Sequence, residues 1–468
     1  MIVKDVTSGP ALNVSDAMNV FADVPVALPG GGTFYVGDNV ASDGFSLLVG
    51  GDVNVGGVLT VDGDTTRTFN IMGYGTGNDF SVTTGSVNNT ANFNVVNALN
   101  FNSGLVQNSG DISISATNNI VLGAVENISG TATFTAGNDL TIDSDFVNNA
   151  GTGVVLNAKT VSVQSVQNLG VGTMTITANE ALSATSIENK GNTLDIEASG
   201  ASVLVTGTMS NDSGSMTIKA SSLNINGGDA NNPSFVSNGN LNITVSGQTN
   251  LAYGFDLGMS DSAMWNNKFY LETASLNLGA GNTGAFFANN LNDYDVIINS
   301  GFVTGDVSNG LQNNAANMYL AANGLTVEDV VNNAGTMRLA ALSNSDLRAD
   351  SVTDRAGTVT DLTSGGNIVI AGDVTTNAEM NLSAQTIDVG GIVGNGGTLT
   401  VAGGTGQNGM VTVNNNVTNS NGTVDISGRQ INIVGNVDNK SGTISVGGSD
   451  LQGSAIQLGG VIVEEGVA

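Results

Sequence analysis

Two pairs of carboxylates are the residues of this sequence best spaced for acid–base chemistry. Asp62 and Asp64 form the first pair, and Asp143 and Asp145 form the second. Residues i and i+2 share one face of a strand, so either pair could bind Ca²⁺ or act as the acid and base of a glycosidase. Solvated loop carboxylates are the plainer interpretation. We therefore predict no enzyme activity and no cofactor, with Ca²⁺ as the only ion that these pairs suggest.

A glycine-rich motif at residues 404–409 has the spacing G-x-G-x-x-G. In dinucleotide-binding proteins this motif opens a helix, and the helix amino terminus holds the pyrophosphate. Residues 410–413 alternate like a strand instead, so the motif predicts a turn. The chain also has no His and no Cys, which excludes disulfides and Cys-based zinc sites and removes the commonest general base.

Asparagine side chains recur with the most regular spacing. An apolar residue is followed two positions later by Asn, in a phrase that returns about every 20 residues. The shared parity directs both side chains inward, where stacked amides can hydrogen-bond to each other and to the turn backbone. We predict a structural ladder rather than a repeated ligand site. Its predicted members are Asn89, Asn108, Asn127, Asn149, Asn168, Asn189, Asn211, Asn333, Asn395, Asn419 and Asn439.

The composition argues against several classes of partner. The formal net charge is −29, and the 11 Lys and Arg residues are scattered along the chain. Nucleic acids and anionic membrane surfaces both require clustered basic residues, so neither is expected as a partner. No apolar run is long enough to span a membrane as a helix, and membrane insertion is not expected. Apolar residues still make up 40% of the chain, which is too many for a disordered protein.

Short strands are the elements that must position these residues. The anchors of the phrase lie mostly 19–24 residues apart, as from Val106 to Val125 and from Val352 to Val374. Within one unit, residues 173–178 alternate apolar and polar side chains, which is typical of a half-buried strand. A second short strand and the anchor strand complete a three-sided coil. We predict an all-β fold, a right-handed parallel β-helix (β-solenoid) of about 18 coils.

Two regions depart from the regular coil. Residues 1–50 contain three of the four Pro residues and lack a clear period, which predicts an irregular N-terminal cap or a docking arm for a neighbouring subunit. The β-helix is then expected over 51–468, with enlarged loops over 209–287. That segment is rich in aromatic residues, which either fill the core locally or form an exposed contact patch. The candidate patch residues are Tyr253, Phe255, Trp265, Phe269 and Tyr270.

Residues 135–142 (TAGNDLTI) and 147–152 (VNNAGT) resemble the repeats of filamentous haemagglutinin-type adhesins. The resemblance covers about residues 85–460 and rests on the pattern of the repeat, without a site motif. It implies a right-handed parallel β-helix on a bacterial surface, in the group of bacterial surface β-helix proteins. The roles it implies are adhesion and biofilm cohesion.

Together these features predict a secreted or surface-displayed structural protein, a self-assembling subunit of an extracellular filament or sheath. The expected partner is a second copy of the chain, joined head to tail or through the N-terminal arm. Two alternatives stay open. The first is a bacterial adhesin that binds glycans or other surface proteins through loops near 250–270. The second is a polysaccharide-active β-helix enzyme that uses one of the Asp pairs.

Overall fold

The fold is taken from a computed structural model of the 468-residue chain. The structure describes residues 2–3, 11–14, 20–22, 26–28, 33–36, 45–49, 51–63, 68–73, 80–149, 152–228, 234–252, 255–257, 268–278, 287–289, 295–300, 303–304, 311–313, 318–322, 324–327, 329–406, 408–448, 455–459 and 462–464.

The described residues form an all-β solenoid of about 15 parallel turns, without a helix. The predicted fold class is confirmed, and the number of coils is somewhat lower than the eighteen expected. Some coils are longer than 19–24 residues, since Val61 pairs with Asn89 and Gly394 pairs with Asn419. The chain divides into two compact units, Met1–Asn224 and Ile225–Ala468.

Unit 1 consists of short strands that follow each other around successive coils. Their bounds are β1 Ile2–Val3, β2 Ala11–Val14, β3 Val20–Ala22, β4 Val26–Leu28, β5 Thr33–Val36, β6 Phe45–Val49, β7 Val53–Val61, β8 Thr68–Gly73, β9 Val82–Asn89, β10 Asn92–Ala98, β11 Phe101–Asn108, β12 Asp111–Ala116, β13 Ile120–Asn127, β14 Thr131–Ala136, β15 Asp139–Asn148, β16 Gly153–Asn168, β17 Thr173–Asn189, β18 Thr193–Val205, β19 Met209–Asn211 and β20 Ser215–Ile225.

Each regular coil of unit 1 contributes one segment to each of three columns of paired strands. In one coil these segments are Thr131–Ala136 in column 1, Leu140–Ile142 in column 2 and Phe146–Asn148 in column 3. Columns 2 and 3 belong to one long strand that bends between them, because the register shifts there. Backbone hydrogen bonds therefore run from coil to coil, and every strand inside the stack is paired on both sides.

Alternate residues of each column point into a narrow apolar interior. In β12 the inward residues Ile112, Ile114 and Ala116 are buried, while their neighbours are partly exposed. Buried aromatic rings also meet between columns: Phe134 and Phe146 pack edge to face, with ring centroids 6.5 Å apart. This period of two is the pattern that the sequence predicts for a half-buried strand.

Six short strands are described within the first 50 residues. The described strands β1 to β6 all pair in parallel: β1 with β3, β2 with β5, and β3 with β6. Strand β4 pairs in turn with β7. The irregular cap or docking arm over residues 1–50 stays a prediction, since most of this segment lies outside the described residues.

Unit 2 has the same organisation of short parallel strands. Their bounds are β21 Phe235–Ser237, β22 Asn240–Leu251, β23 Phe255–Leu257, β24 Lys268–Leu278, β25 Phe287–Asn289, β26 Asp295–Ser300, β27 Val303–Thr304, β28 Leu311–Asn313, β29 Met318–Ala322, β30 Leu325–Thr326, β31 Asp329–Asn332, β32 Thr336–Ala341, β33 Leu347–Ala349, β34 Ser351–Asp354, β35 Val359–Ser364, β36 Asn367–Thr376, β37 Glu379–Ala384, β38 Thr386–Gly394, β39 Thr398–Gly403, β40 Met410–Val413, β41 Val417–Asn419, β42 Thr423–Gly428, β43 Gln430–Ile433, β44 Val437–Asn439, β45 Thr443–Gly448, β46 Ala455–Leu458 and β47 Ile462–Glu464.

Glycines at the bend between columns 2 and 3 allow neighbouring coils of unit 1 to approach closely. Gly85, Gly104 and Gly123 lie one above another at this bend. A Cβ atom on Gly104 would lie 2.3 Å from the carbonyl oxygen of Gly85, which belongs to a paired backbone and cannot move freely. A side chain at this position therefore conflicts with the spacing between coils.

We expect the substitution Gly104→Ala to lower the free energy of unfolding by about 3 kcal/mol, because the added methyl group overlaps the backbone of the adjacent coil. Denaturant unfolding followed by circular dichroism measures the change. Gly153→Ala is the matched control, since a Cβ atom there meets only a contact at 3.6 Å. Equal stability of the two variants would contradict the close approach.

Candidate functional site

The most extensive polar feature of unit 1 is a column of buried asparagines at the end of column 3. The side-chain amide nitrogen of each Asn donates to the amide oxygen of the Asn in the next coil, at distances of 2.7–3.0 Å. An amide can donate and accept at once, so the chain of bonds continues in one direction. Its members are Asn89, Asn108, Asn127, Asn148, Asn168, Asn189 and Asn211.

The ladder amides also hold the turn that leads from column 3 to column 1. Asn89 donates to the carbonyl oxygen of Ala91 at 2.9 Å, and Asn108 donates to that of Gly110 at 2.8 Å. Three residues after Asn127, Gly130 has a φ of 71°. The left-handed residue of this turn is thus the glycine rather than the asparagine, which explains the Gly that follows the Asn in the sequence phrase.

Three predicted members of the ladder are wrong. Two are displaced by one position, and the third does not point inward. Asn148 occupies the ladder position in place of Asn149, and Asn332 occupies it in place of Asn333. Asn395 is exposed, because Gly394 takes the inward position. In each phrase two apolar residues precede the ladder position, and sequence parity cannot decide which of them points inward. The register with the adjacent coil decides it.

Unit 2 contains an interrupted version of the same ladder. Asn313 donates to Asn332 at 3.0 Å, and Asn419 donates to Asn439 at 3.0 Å. Asn313 is not among the predicted members of the ladder, although Leu311-Gln312-Asn313 has the spacing of the phrase. Between the two Asn pairs, the ladder positions are filled by Asp354, Thr376 and Gly394.

Asp354 interrupts the ladder because an ionised carboxylate cannot donate a hydrogen bond. The missing donor breaks the link from Asp354 to Thr376, while the Asn332 amide donates to the carbonyl oxygen of Val359 at 2.8 Å and to the Thr360 hydroxyl at 3.0 Å. Asp354 instead accepts from the Thr376 hydroxyl at 3.2 Å and from the backbone N–H of Asn377 at 2.5 Å. Burial disfavours the charged form and raises the pKa of the Asp354 carboxyl, although these hydrogen bonds oppose the change.

Gly394 leaves a second defect in the unit 2 ladder. It pairs with Asn419 in register but has no side chain to donate a hydrogen bond. The amide oxygen of Asn419 is consequently buried without a hydrogen-bond partner among the described residues. A buried acceptor of this kind costs stability, and the defect marks this part of unit 2 as a weaker version of the unit 1 ladder.

Those members of the two carboxylate pairs that the structure describes lie on the outer surface. Asp143 and Asp145 are both exposed at a bend of β15. Asp62 accepts a hydrogen bond from the Thr90 hydroxyl at 3.0 Å, and Asp64 lies outside the described residues. In the described part of the chain, no group of three or more His, Cys, Asp or Glu residues is arranged to hold a metal ion. Calcium binding and catalysis by these pairs are untested.

The predicted aromatic patch lies largely outside the described residues. Tyr253 and Trp265 are not described, and neither are the side chains of Phe255, Phe269 and Tyr270. The backbones of the last three belong to strands β23 and β24. The contact role of the patch therefore stays a prediction.

Comparisons with protein-family models, with curated proteins and with solved structures found no match for this chain. The fold is consistent with bacterial surface β-helix proteins in general. In the described residues, no helix is long and apolar enough to cross a membrane.

We expect Asn148→Ala to lower the free energy of unfolding by about 2–3 kcal/mol, because it leaves the Asn127 donor and the Asn168 acceptor buried without these partners. Asn149→Ala is the matched control: its side chain is exposed, and a change within about 0.5 kcal/mol is expected. Chemical denaturation of both variants measures the difference. A larger loss for Asn149→Ala would contradict the assigned register.

We expect Asp354→Asn to raise the free energy of unfolding near neutral pH by about 1 kcal/mol, because it removes a buried charge and supplies the missing donor. Since the folded pKa is raised, ionisation of Asp354 destabilises the fold as the pH rises from the ordinary value of 3.8 to the folded pKa. The penalty is constant above the folded pKa and absent below the ordinary value.

The advantage of Asp354→Asn should therefore shrink as the pH falls toward 3.8. Urea unfolding at a series of pH values measures this dependence. Asp350→Asn, at an exposed position, is the control and should show neither effect. An advantage of Asp354→Asn that does not change with pH would argue against a buried ionised carboxylate.

Proposed function

We propose that this protein is a secreted or surface-displayed structural protein, a self-assembling subunit of an extracellular filament or sheath. The observation that carries the proposal is the ladder of hydrogen bonds along the coils of each unit, in the backbone and in the asparagine side chains. A coil inside such a stack can be removed only by breaking its backbone pairs on both sides. This arrangement suits a protein whose task is to resist extension.

The surface supports the same role. The net charge of −29 keeps separate chains apart and favours solubility, which limits unspecific lateral aggregation. The resemblance of the repeats to filamentous haemagglutinin-type adhesins adds the expectation of a bacterial surface and of biofilm cohesion. Within the described residues, the outward side chains of the ladder coils are mostly Ser, Thr, Asn and Gln, which are compatible with exposure to water.

The coil formed by β45, β46 and β47 supports contact with a second copy. Ile456 and Leu458 of β46 lie in register with Ile431 and Ile433, which are fully buried. Ile456 and Leu458 are themselves 46% and 37% exposed. Exposed apolar side chains of this kind favour contact with another protein surface, here that of a second copy of the chain.

We expect the protein to self-associate with increasing concentration, because contact of a second copy with β46 buries the exposed side chains of Ile456 and Leu458. Sedimentation velocity and negative-stain electron microscopy measure this. The variant with Ile456→Lys and Leu458→Lys should stay monomeric. Val171→Lys, at a side chain that is 74% exposed in a turn of unit 1, is the control and should assemble normally. A protein that is monomeric at every concentration would overturn the proposal of self-assembly.

A further inference from the structure

A groove of about 440 Å³ runs along the outer face of unit 2. It is formed by four strands of successive coils, β29, β32, β35 and β37. Apart from Thr360, the inward residues of these strands are buried leucines and other apolar side chains. The groove is therefore formed by the side chains that point outward. The outward positions in register are Tyr319, Arg338, Asp361 and Asn381.

These four side chains hold each other in place. The Arg338 guanidinium carbon lies 5.5 Å from the centre of the Tyr319 ring, within the range of a cation–π contact. The Arg338 Nε donates to Asp361 Oδ2 at 3.0 Å, and the Asn381 amide donates to Asp361 Oδ1 at 2.9 Å. A ligand would therefore meet side chains that are already ordered, and binding would lose little conformational entropy.

Hydrogen-bonding groups remain available in this row. In the described part of the chain, neither the two terminal guanidinium nitrogens of Arg338 nor the amide oxygen of Asn381 has a protein partner. The guanidinium plane offers paired donors, and the Asn381 oxygen offers an acceptor further along the groove. Such planar groups can bond to two neighbouring hydroxyl groups of one ligand.

Small side chains form the floor beside the polar row. Ala321, Ala340, Thr363 and Ser383 occupy a second outward column, two residues further along each strand. A floor of this kind lets a flat ring lie close to the sheet, next to the Tyr319 ring. Three coil spacings of ~4.8 Å give a row about 14 Å long, enough for about three sugar rings.

The charges of the groove favour a neutral ligand. Arg338 and Asp361 form an ion pair with each other, and no further basic side chain lines the groove. A polyanion would be repelled by the net charge of −29, because the Arg338 charge is already balanced by Asp361. A cation would compete with two donors that already bind Asp361. An uncharged ligand with many hydroxyl groups and apolar C–H faces matches the row and the floor together.

We propose that this groove, formed by Tyr319, Arg338, Asp361, Asn381 and the small residues beside them, binds a neutral oligosaccharide along the stack of coils. The sugar hydroxyl groups bond to Arg338 and Asn381, and a C–H face packs on Tyr319. The site is independent of self-assembly and gives a structural protein a means to hold a polysaccharide. No local sequence pattern indicates this groove, because its four polar residues are 19–23 positions apart and come together only through the register between coils.

The test is titration of the full-length protein with cellohexaose, mannohexaose and chitohexaose, followed by isothermal calorimetry and saturation-transfer NMR. Hexagalacturonate serves as the anionic comparison. We expect millimolar or tighter binding of at least one neutral hexasaccharide and weaker binding of hexagalacturonate. The variants Tyr319→Ala and Arg338→Ala should each weaken binding at least about tenfold, which corresponds to about 1.4 kcal/mol. Tyr319→Phe should retain most of the affinity, because the ring face is preserved.

Lys219→Ala is the matched control, since Lys219 forms an ion pair with Glu197 on the outer face of a strand in unit 1. It should bind as the unchanged protein does, and circular dichroism should show all variants folded. Three results would overturn the proposal: no binding of any neutral hexasaccharide at millimolar concentration, preferred binding of hexagalacturonate, or binding that Tyr319→Ala and Arg338→Ala leave unchanged.

Discussion

The register between successive coils is the constraint on which the rest of this structure depends. Each coil is too thin to bury its own apolar face, and its backbone groups find partners only in the coils above and below. Once the register is set, residues of the same kind lie above one another in successive coils. Apolar positions form the narrow interior, and one inward position per coil is available to an asparagine, whose amide both donates and accepts along the stack.

The two units show that the same register can be kept with different side chains at the ladder position. In unit 1, an unbroken run of amides passes hydrogen bonds from Asn89 to Asn211. In unit 2, Asp354 reverses the direction of donation and Gly394 leaves an amide oxygen of Asn419 without a partner. The backbone pairing continues past both residues, so the ladder reinforces the turn but does not by itself define the coil. Local stability should therefore vary along the molecule, although the fold stays the same.

The differences between one coil and another lie in the side chains at the outward positions. Because they are not needed for the interior, they can vary without disturbing the stack, and side chains from distant parts of the sequence come to lie in rows. The row from Tyr319 to Asn381 is one result. A row of this kind can form a binding surface while the interior of the coils stays unchanged.

The sequence by itself determined the fold class, the period and most of the ladder, because alternation within a strand and the spacing of Val-x-Asn are local properties. It settled the inward parity wherever a single apolar residue opens the phrase, as at Val87 and Val417. Where two apolar residues are adjacent, as at Phe146-Val147 and Val330-Val331, only pairing with the next coil decided which one is buried. The same pairing brought Asp354 into the ladder and assembled the outer groove. Hydrogen bonds between coils join residues about twenty positions apart, and no local pattern specifies which of them will meet.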